Sequence, residues 1–403
     1  MIDLETITAA HERISKIVDD TPFSYAPRLS EQSGCEIYLK KENLQVTGAF
    51  KIRGAYNKIA SLSDHERSLG VITASAGNHA QGVAMAAQIF AINALIVMPE
   101  STPLTKINGV RYYGAEVILS GSNYDEAYAY AYEYSQKNEM VFVHPFADEA
   151  VIAGQGTIAL EMLSAIPDLD AIVIPVGGGG LISGMASCIK QMAPSIEVIG
   201  VSAMGATAMR ESFEAKRAID SLSVRTIADG IAVRDTSPLT LGHILETVDT
   251  MIGVDDEEIA NAILFLLERQ KLVVEGAGAA GVAALLHDKL PHLKGKKVGI
   301  VLSGGNMDVT LLSIIIEKGL IKSGRKMKLT VTLIDKPGAL MQLTRMLQEL
   351  NANIVHIEYD RTSTSLSYGD ANVRIHLETK GEEHQAQIRS SLRENHYLSS
   401  EEN

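Results

Sequence analysis

Strand-like and helix-like stretches alternate through most of this chain, and that alternation limits the possible folds more than any other feature. Apolar runs at 70–73, 94–98, 116–119, 140–144, 171–176 and 197–202 are each separated by a helical pattern. Parallel strands need a long crossover between them, so the order predicts parallel sheets covered by helices, with ligands at the carboxyl ends of the strands. An opening helix over 4–18 stops at Thr21 and Pro22, a short strand follows at 36–40, and Ser63 with Glu66 has the spacing of a capping box. With 403 residues there is room for two or three domains. After the polar link 322–325 the order becomes strand 327–334, helix 340–350, strands 354–359 and 371–377, and helix 382–392. That order predicts an antiparallel sheet with helices on one face. Residues 395–403 leave little room for a further strand. The domains expected are therefore 1–322, with a smaller subdomain at about 46–145, and 326–403.

Three small-residue turns close apolar strands. Gly177, Gly178, Gly179 and Gly180 follow 172–176 and precede Leu181. A helix start after bare backbone presents N–H groups and a partial positive charge, which suits a phosphate. A tight turn alone needs only one or two glycines. No Gly-Lys-Ser/Thr follows, so this is not a Walker A loop. Ser75, Ala76, Gly77, Asn78 and His79 repeat the strand-to-helix setting and suit a carboxylate, although Asn78 also reads as a plain helix N-cap. Ser303–Asn306 is the third turn. Lys51 stands between the loop Thr47–Phe50 and a helix with apolar positions Ile52, Ala55, Ile59 and Leu62; most lysines in such a place are solvated charges.

Charge and cysteine content narrow the partners. A net charge of −13 argues against a nucleic-acid backbone or an anionic membrane. Cys35 and Cys188 are too few for a disulfide framework or a thiolate metal site and fit a reducing, cytoplasmic compartment. No run approaches the ~20 apolar residues of a membrane span, and the first residues carry no apolar leader.

Taken together, Thr47–Gly54 around Lys51, Ser75–His79, the tetraglycine loop, Val273–Ala277 and Ser303–Asn306 resemble the fold-type II pyridoxal phosphate enzymes, and among them the threonine dehydratases (threonine ammonia-lyases). The resemblance covers roughly residues 5–320. The tail, with Asp335–Gly338 at its first turn, is similar to an ACT regulatory domain. The resemblance implies an α/β fold of two open parallel-sheet subdomains, like the tryptophan synthase β chain, plus an α+β tail. It implies pyridoxal 5'-phosphate as cofactor. Lys51, preceded by Phe50, would form the Schiff base and then take the Cα proton. Asn78 would meet the phenolic oxygen, Gly177–Gly180 and Leu181 the phosphate, and Ser303 the ring nitrogen. Ser75, Ala76, Gly77, Asn78 and His79 would hold the substrate carboxylate. A neutral hydroxyl at the ring nitrogen gives a weaker electron sink than a carboxylate would, which suits β-elimination over transamination. The expected reaction turns L-threonine into 2-oxobutanoate and ammonia, or L-serine into pyruvate, in a homo-oligomer that serves isoleucine biosynthesis and responds to an amino-acid effector. A serine-preferring dehydratase and a non-catalytic amino-acid sensor are the alternatives.

Two departures matter. Serine racemases carry a serine where this chain has Ala76, so little racemisation is expected. Ser202, Ala206 and Ala208 offer no carboxylate where some relatives hold a divalent cation, so that site is expected to be absent or to take a monovalent ion, and no metal is assigned. His79 and His144 read as packing residues, and Asp229 as a turn stabiliser. Glu275 reads equally as a cofactor neighbour or a helix cap, and the tyrosines at 124, 128, 130, 132 and 134 as partly buried helix surface.

Overall fold

The computed structural model describes residues 1–364 and 366–401. In chain order its strands are β1 Phe23–Tyr25, β2 Glu36–Lys40, β3 Val71–Ala74, β4 Ala94–Met98, β5 Glu116–Leu119, β6 Val141–Phe142 and β7 Ala171–Pro175. They continue with β8 Glu197–Ala203, β9 Thr250–Val254, β10 Lys297–Val301, β11 Lys326–Ile334, β12 Asn353–Asp360, β13 Asp370–Glu378 and β14 Leu398–Glu401. The chain divides into two units, Met1–Met307 and Asp308–Asn403.

Two sheets make the first unit. The larger has the order β1-β2-β10-β7-β8-β9 and is parallel apart from the β1 edge; the smaller has the order β5-β4-β3-β6 and is parallel throughout. Every residue of β3, β4 and β7 is buried. Strands covered by helices on both faces require such unbroken apolar runs, so the expected pair of open parallel sheets is what forms. Strand order reverses at β3, which has β4 on one side and β6 on the other, and at β7, flanked by β8 and β10. Crevices at such reversals collect ligands. The two turns read as anion sites, 75–79 and 177–180, leave those two strands.

Helices Lys51–Ala60, Glu149–Ala165 and Gly180–Met192 approach main chain to main chain at glycines. A Cβ on Gly154 would lie 2.6 Å from the Arg53 carbonyl, and one on Gly184 2.1 Å from the Ile152 carbonyl. Beside this stack runs a buried ionic cluster. The Arg53 guanidinium grips both oxygens of Glu42, at 2.8 and 2.9 Å, and also Glu161, to which Lys40 is paired as well. The side chains of Arg53 and Glu42 are fully buried.

The second unit alternates buried and half-exposed residues along β11, as a sheet with one covered face must. Its order β12-β13-β11-β14, antiparallel throughout, with helices Ala339–Glu349 and Glu382–Glu394, is a β-α-β-β-α-β ferredoxin-like arrangement. One sequence expectation is corrected here. The tail does complete a final strand, because four residues of β14 pair with β11 and Arg389 clamps Glu401. The second compact unit also takes in the helix that precedes the polar link 322–325. Helix Val309–Lys322 buries only Ile315, and its Glu317 is paired with Lys326 of β11 at 2.7 Å, which ties it to the tail.

Candidate active site

Lys51 opens its helix, and the bend before it is fastened to the turn after β10. The Phe50 N–H donates to the Ser303 carbonyl at 3.0 Å, Ala49 bridges Gly304, and the Gly305 N–H donates to the Gly48 carbonyl at 2.8 Å. The Lys51 amine donates to the Pro145 carbonyl at 2.8 Å and lies 5.3 Å from the Phe50 ring centre. Burial pushes its pKa down to about 8, with Glu275 pulling the other way. At pH 7 that leaves about a tenth of the amine neutral, against less than about one part in a thousand for an ordinary lysine. This lysine is therefore not the solvated charge that its position on a helix first suggested.

The turn carrying Pro145 reaches the glycine loop. His144 Nδ1 accepts the N–H groups of Phe146 and Ala147, at 3.2 and 2.7 Å, and burial holds this ring neutral with a pKa of about 4. Phe146 then lies over the glycines: a Cβ on Gly178 would meet its ring at 2.4 Å, and one on Gly180 its backbone at 2.9 Å. Gly179 has φ +87°, open to glycine at little cost, and caps helix Gly180–Met192 without any side-chain bond. The first-turn N–H groups there, Leu181 included, have no intrahelical acceptor. The lysine and the naked amides thus meet through one short segment, 144–146.

At the 75–79 turn the cap is Gly77, not Asn78, and again no side chain caps the helix. The Gly77 N–H is taken by Ser75 Oγ at 3.2 Å, while the donors of the first helical turn remain free of the helix. Ala76 is partly buried against the small-sheet core. Asn78, released from capping, donates from Nδ2 to Glu275 Oε1 at 2.8 Å and accepts at Oδ1 from Asn306 Nδ2 at 2.8 Å. His79 points away into the core, where Nε2 meets the Val143 carbonyl at 3.0 Å and burial lowers its pKa to about 3. Its backbone, not its ring, belongs to the turn.

Glu275 is 4 % exposed. It stands at a helix start yet makes no capping bond, and its carboxyl meets Asn78 instead. Burial, reinforced by Asp229, raises its pKa to about 7. Asp229 itself pairs with Lys106 at 3.0 Å instead of stabilising a turn. Ser303 is buried at the end of β10. Among the described residues no group of three or more His, Cys, Asp and Glu could hold a metal. Sequence reasoning missed three features: Asn306 as the partner of Asn78, Phe146 over the glycines, and the charge cluster behind Lys51. Only Asn306 left a signal, being the one amide in a turn already singled out.

Residues 14–304 match the family model described as "Pyridoxal-phosphate dependent enzyme". The chain is similar to an L-threonine ammonia-lyase of Thermotoga maritima, 52 % identical over 97 % of both chains. It is also similar to one of Geobacter sulfurreducens, 47 % identical over 99 % of both. Among solved structures it resembles the processed form of threonine deaminase isoform 2 from Solanum lycopersicum, with TM-score 0.74 and 38 % identity over 78 % of this chain and 88 % of the other.

Proposed function

This chain belongs to the pyridoxal-phosphate-dependent enzyme family, and we propose that within it the protein is a threonine ammonia-lyase, releasing ammonia from L-threonine, and also from L-serine, by loss of the β-hydroxyl as water and its return on hydrolysis of the imine, to leave 2-oxobutanoate or pyruvate. The observation that carries the reading is the buried amine of Lys51, its pKa lowered toward neutrality, joined by segment 144–146 to a bank of uncapped backbone N–H groups. Those groups fit the cofactor: an aldehyde needs a neutral amine, and a phosphate needs donors that nothing else occupies.

Lys51 and Phe50 would hold the aldehyde end, Gly177–Gly180 and Leu181 the phosphate, Asn78 the phenolic oxygen and Ser303 the ring nitrogen. When bound, the cofactor supplies the electron sink that makes the substrate Cα–H acidic. The backbone of Ser75, Ala76, Gly77, Asn78 and His79 orients the substrate carboxylate on a helix start. The Lys51 amine, once free of its own bond, takes the Cα proton as general base, a role that its lowered pKa suits at neutral pH. The Pro145 carbonyl gives that amine a resting partner.

The ferredoxin-like topology of the tail supports an ACT-type regulatory domain, with an amino-acid effector near the turn 335–340. Assembly as a homo-oligomer, a cytoplasmic setting and a place in isoleucine biosynthesis complete the reading. Both cysteines are free and buried, and no described helix is long and apolar enough to cross a membrane.

The test is keto-acid release from threonine and from serine by the yellow protein, repeated with isoleucine and valine present. Lys51→Ala should lose the borohydride-sensitive colour and nearly all turnover. A Lys51→Ala protein as fast as wild type refutes the assignment, serine turned over far faster than threonine makes the enzyme a serine dehydratase, and a colourless wild type that releases nothing makes it a sensor.

A further inference from the structure

We propose that Asn306 is a positioning residue that decides which end of the Asn78 amide faces the cleft; the inference rests on the reading of Asn78 as a cofactor contact given above. An asparagine amide has two hydrogens to donate and one oxygen to accept with. Asn306 uses Nδ2 twice, donating to the Thr47 carbonyl at 2.8 Å and to Asn78 Oδ1 at 2.8 Å. The Thr47 carbonyl fixes its orientation, and Gly48 leaves room for the Oδ1 end, since a Cβ there would lie 2.5 Å from Asn306 Oδ1.

Asn78 therefore has to meet Asn306 with its oxygen. On its other side stands the Glu275 carboxyl, which Asn78 meets with Nδ2 at 2.8 Å. Both neighbours select the same rotamer of an otherwise nearly symmetric group. Reversal would set N–H against N–H at Asn306 whatever the pH, and, with Glu275 ionised, a carbonyl against a carboxylate oxygen as well, replacing two bonds by two repulsions. With one hydrogen on Glu275, the second Asn78 N–H is left over. It can serve only an acceptor, and an anionic phenolic oxygen is one. Asn306 touches no reacting atom in this scheme and acts through Asn78.

The test uses the full-length protein reconstituted with pyridoxal phosphate, comparing wild type, Asn78→Ala, Asn306→Ala, the double variant and the near-isosteric Asn306→Asp. Two quantities are read: the cofactor dissociation constant by fluorescence, and the ratio of the phenolate to the neutral-phenol absorption band at fixed pH. Asn306→Ala should weaken cofactor binding about three- to tenfold, the worth of one ordinary hydrogen bond, and lower the phenolate band. In the Asn78→Ala background the same change should cost less than about twofold, the scatter of independent sites. Asn306→Asp, which keeps the shape but offers an oxygen where Nδ2 stood, should lower the phenolate band at least as far, and it carries the test if Asn306→Ala fails to fold. An Asn306→Ala effect equally large without Asn78, or a wild-type spectrum in Asn306→Asp, overturns the proposal and leaves Asn306 as an anchor for the Thr47 loop. If Asn78→Ala itself keeps wild-type affinity and spectrum, it is the reading of Asn78 that fails.

Discussion

Replacing Arg53 by methionine should reverse how one buried carboxylate responds to pH. Arg53 serves Glu42 through two bonds of 2.8 and 2.9 Å and shares Glu161 with Lys40. Burial raises the Glu42 carboxyl, but the charge and hydrogen bonds of Arg53 more than undo that and hold it below the ordinary value. In Arg53→Met, Glu161 keeps Lys40, whereas Glu42 keeps only the Thr21 hydroxyl and a more distant lysine. Removing one partner of a buried pair costs about 3–5 kcal/mol. At about 2 °C per kcal/mol for a large domain, the melting point at pH 7.5 should fall by about 8 °C. The signs of the two pH responses are opposite. In the wild type Glu42 has a folded pKa below its unfolded one, so its contribution is complete above about pH 4.5 and is lost as pH falls through the folded value. In the variant the folded pKa lies above the unfolded one, so the penalty is full at neutral pH and is relieved as acid protonates Glu42. Melting by scanning fluorimetry from pH 8 to 5 should show the gap between the two proteins narrowing, and Arg53→Met with Glu42→Gln should recover much of it at pH 7.5. A gap that stays constant with pH, or a loss below about 1 kcal/mol, would refute the account of this cluster.

Other outcomes follow from the same geometry. Gly178→Ala drives a methyl into the Phe146 ring at 2.4 Å, so cofactor affinity measured by titration should fall about tenfold or more, and adding Phe146→Ala should restore part of it; a single variant with native affinity contradicts the described packing. His79 and His144, with pKa values of about 3 and about 4 against 6.5 unfolded, make folding lose about 1.4 kcal/mol per pH unit each as pH drops below 6.5. Urea midpoints between pH 7 and 4.5 should show this slope, and His79→Leu should flatten it; an unchanged slope speaks against a neutral buried ring. With Ala76 unable to carry a proton, chiral chromatography of L-serine reactions should find pyruvate but little D-serine, and D-serine appearing as fast as pyruvate would contradict that reading.

What could be read in the sequence were features that repeat or punctuate. The buried runs of β3, β4 and β7, and the small-residue turns after β3 and β7, announced two parallel sheets and where ligands would gather. Residues 204–296 were far less legible. There the helix Gly276–Leu286 is apolar all round and buried, which erases periodicity. Pairings across long sequence distance left no local trace. Nothing near Glu42 points to Arg53 or Glu161, and nothing near Gly178 points to Phe146. Glu275 could not be told from a helix cap because its position is a cap position; only the partner it chose, Asn78, separates the two.

The backbone-to-backbone stacking of helices Lys51–Ala60, Glu149–Ala165 and Gly180–Met192 has a mechanical consequence. The outer two carry the lysine and the bare amides at their leading ends, and the spacing between them is set through the middle one by contacts of main-chain atoms that cannot rotate out of the way. Hydrostatic pressure works by squeezing out empty volume, and main-chain contact at Gly154 and Gly184 leaves no room for even one methyl group at those points. The span between base and anion cradle should then stay fixed under loads that loosen the rest of the molecule, and compressing the protein should empty its more open regions before it disturbs that dimension.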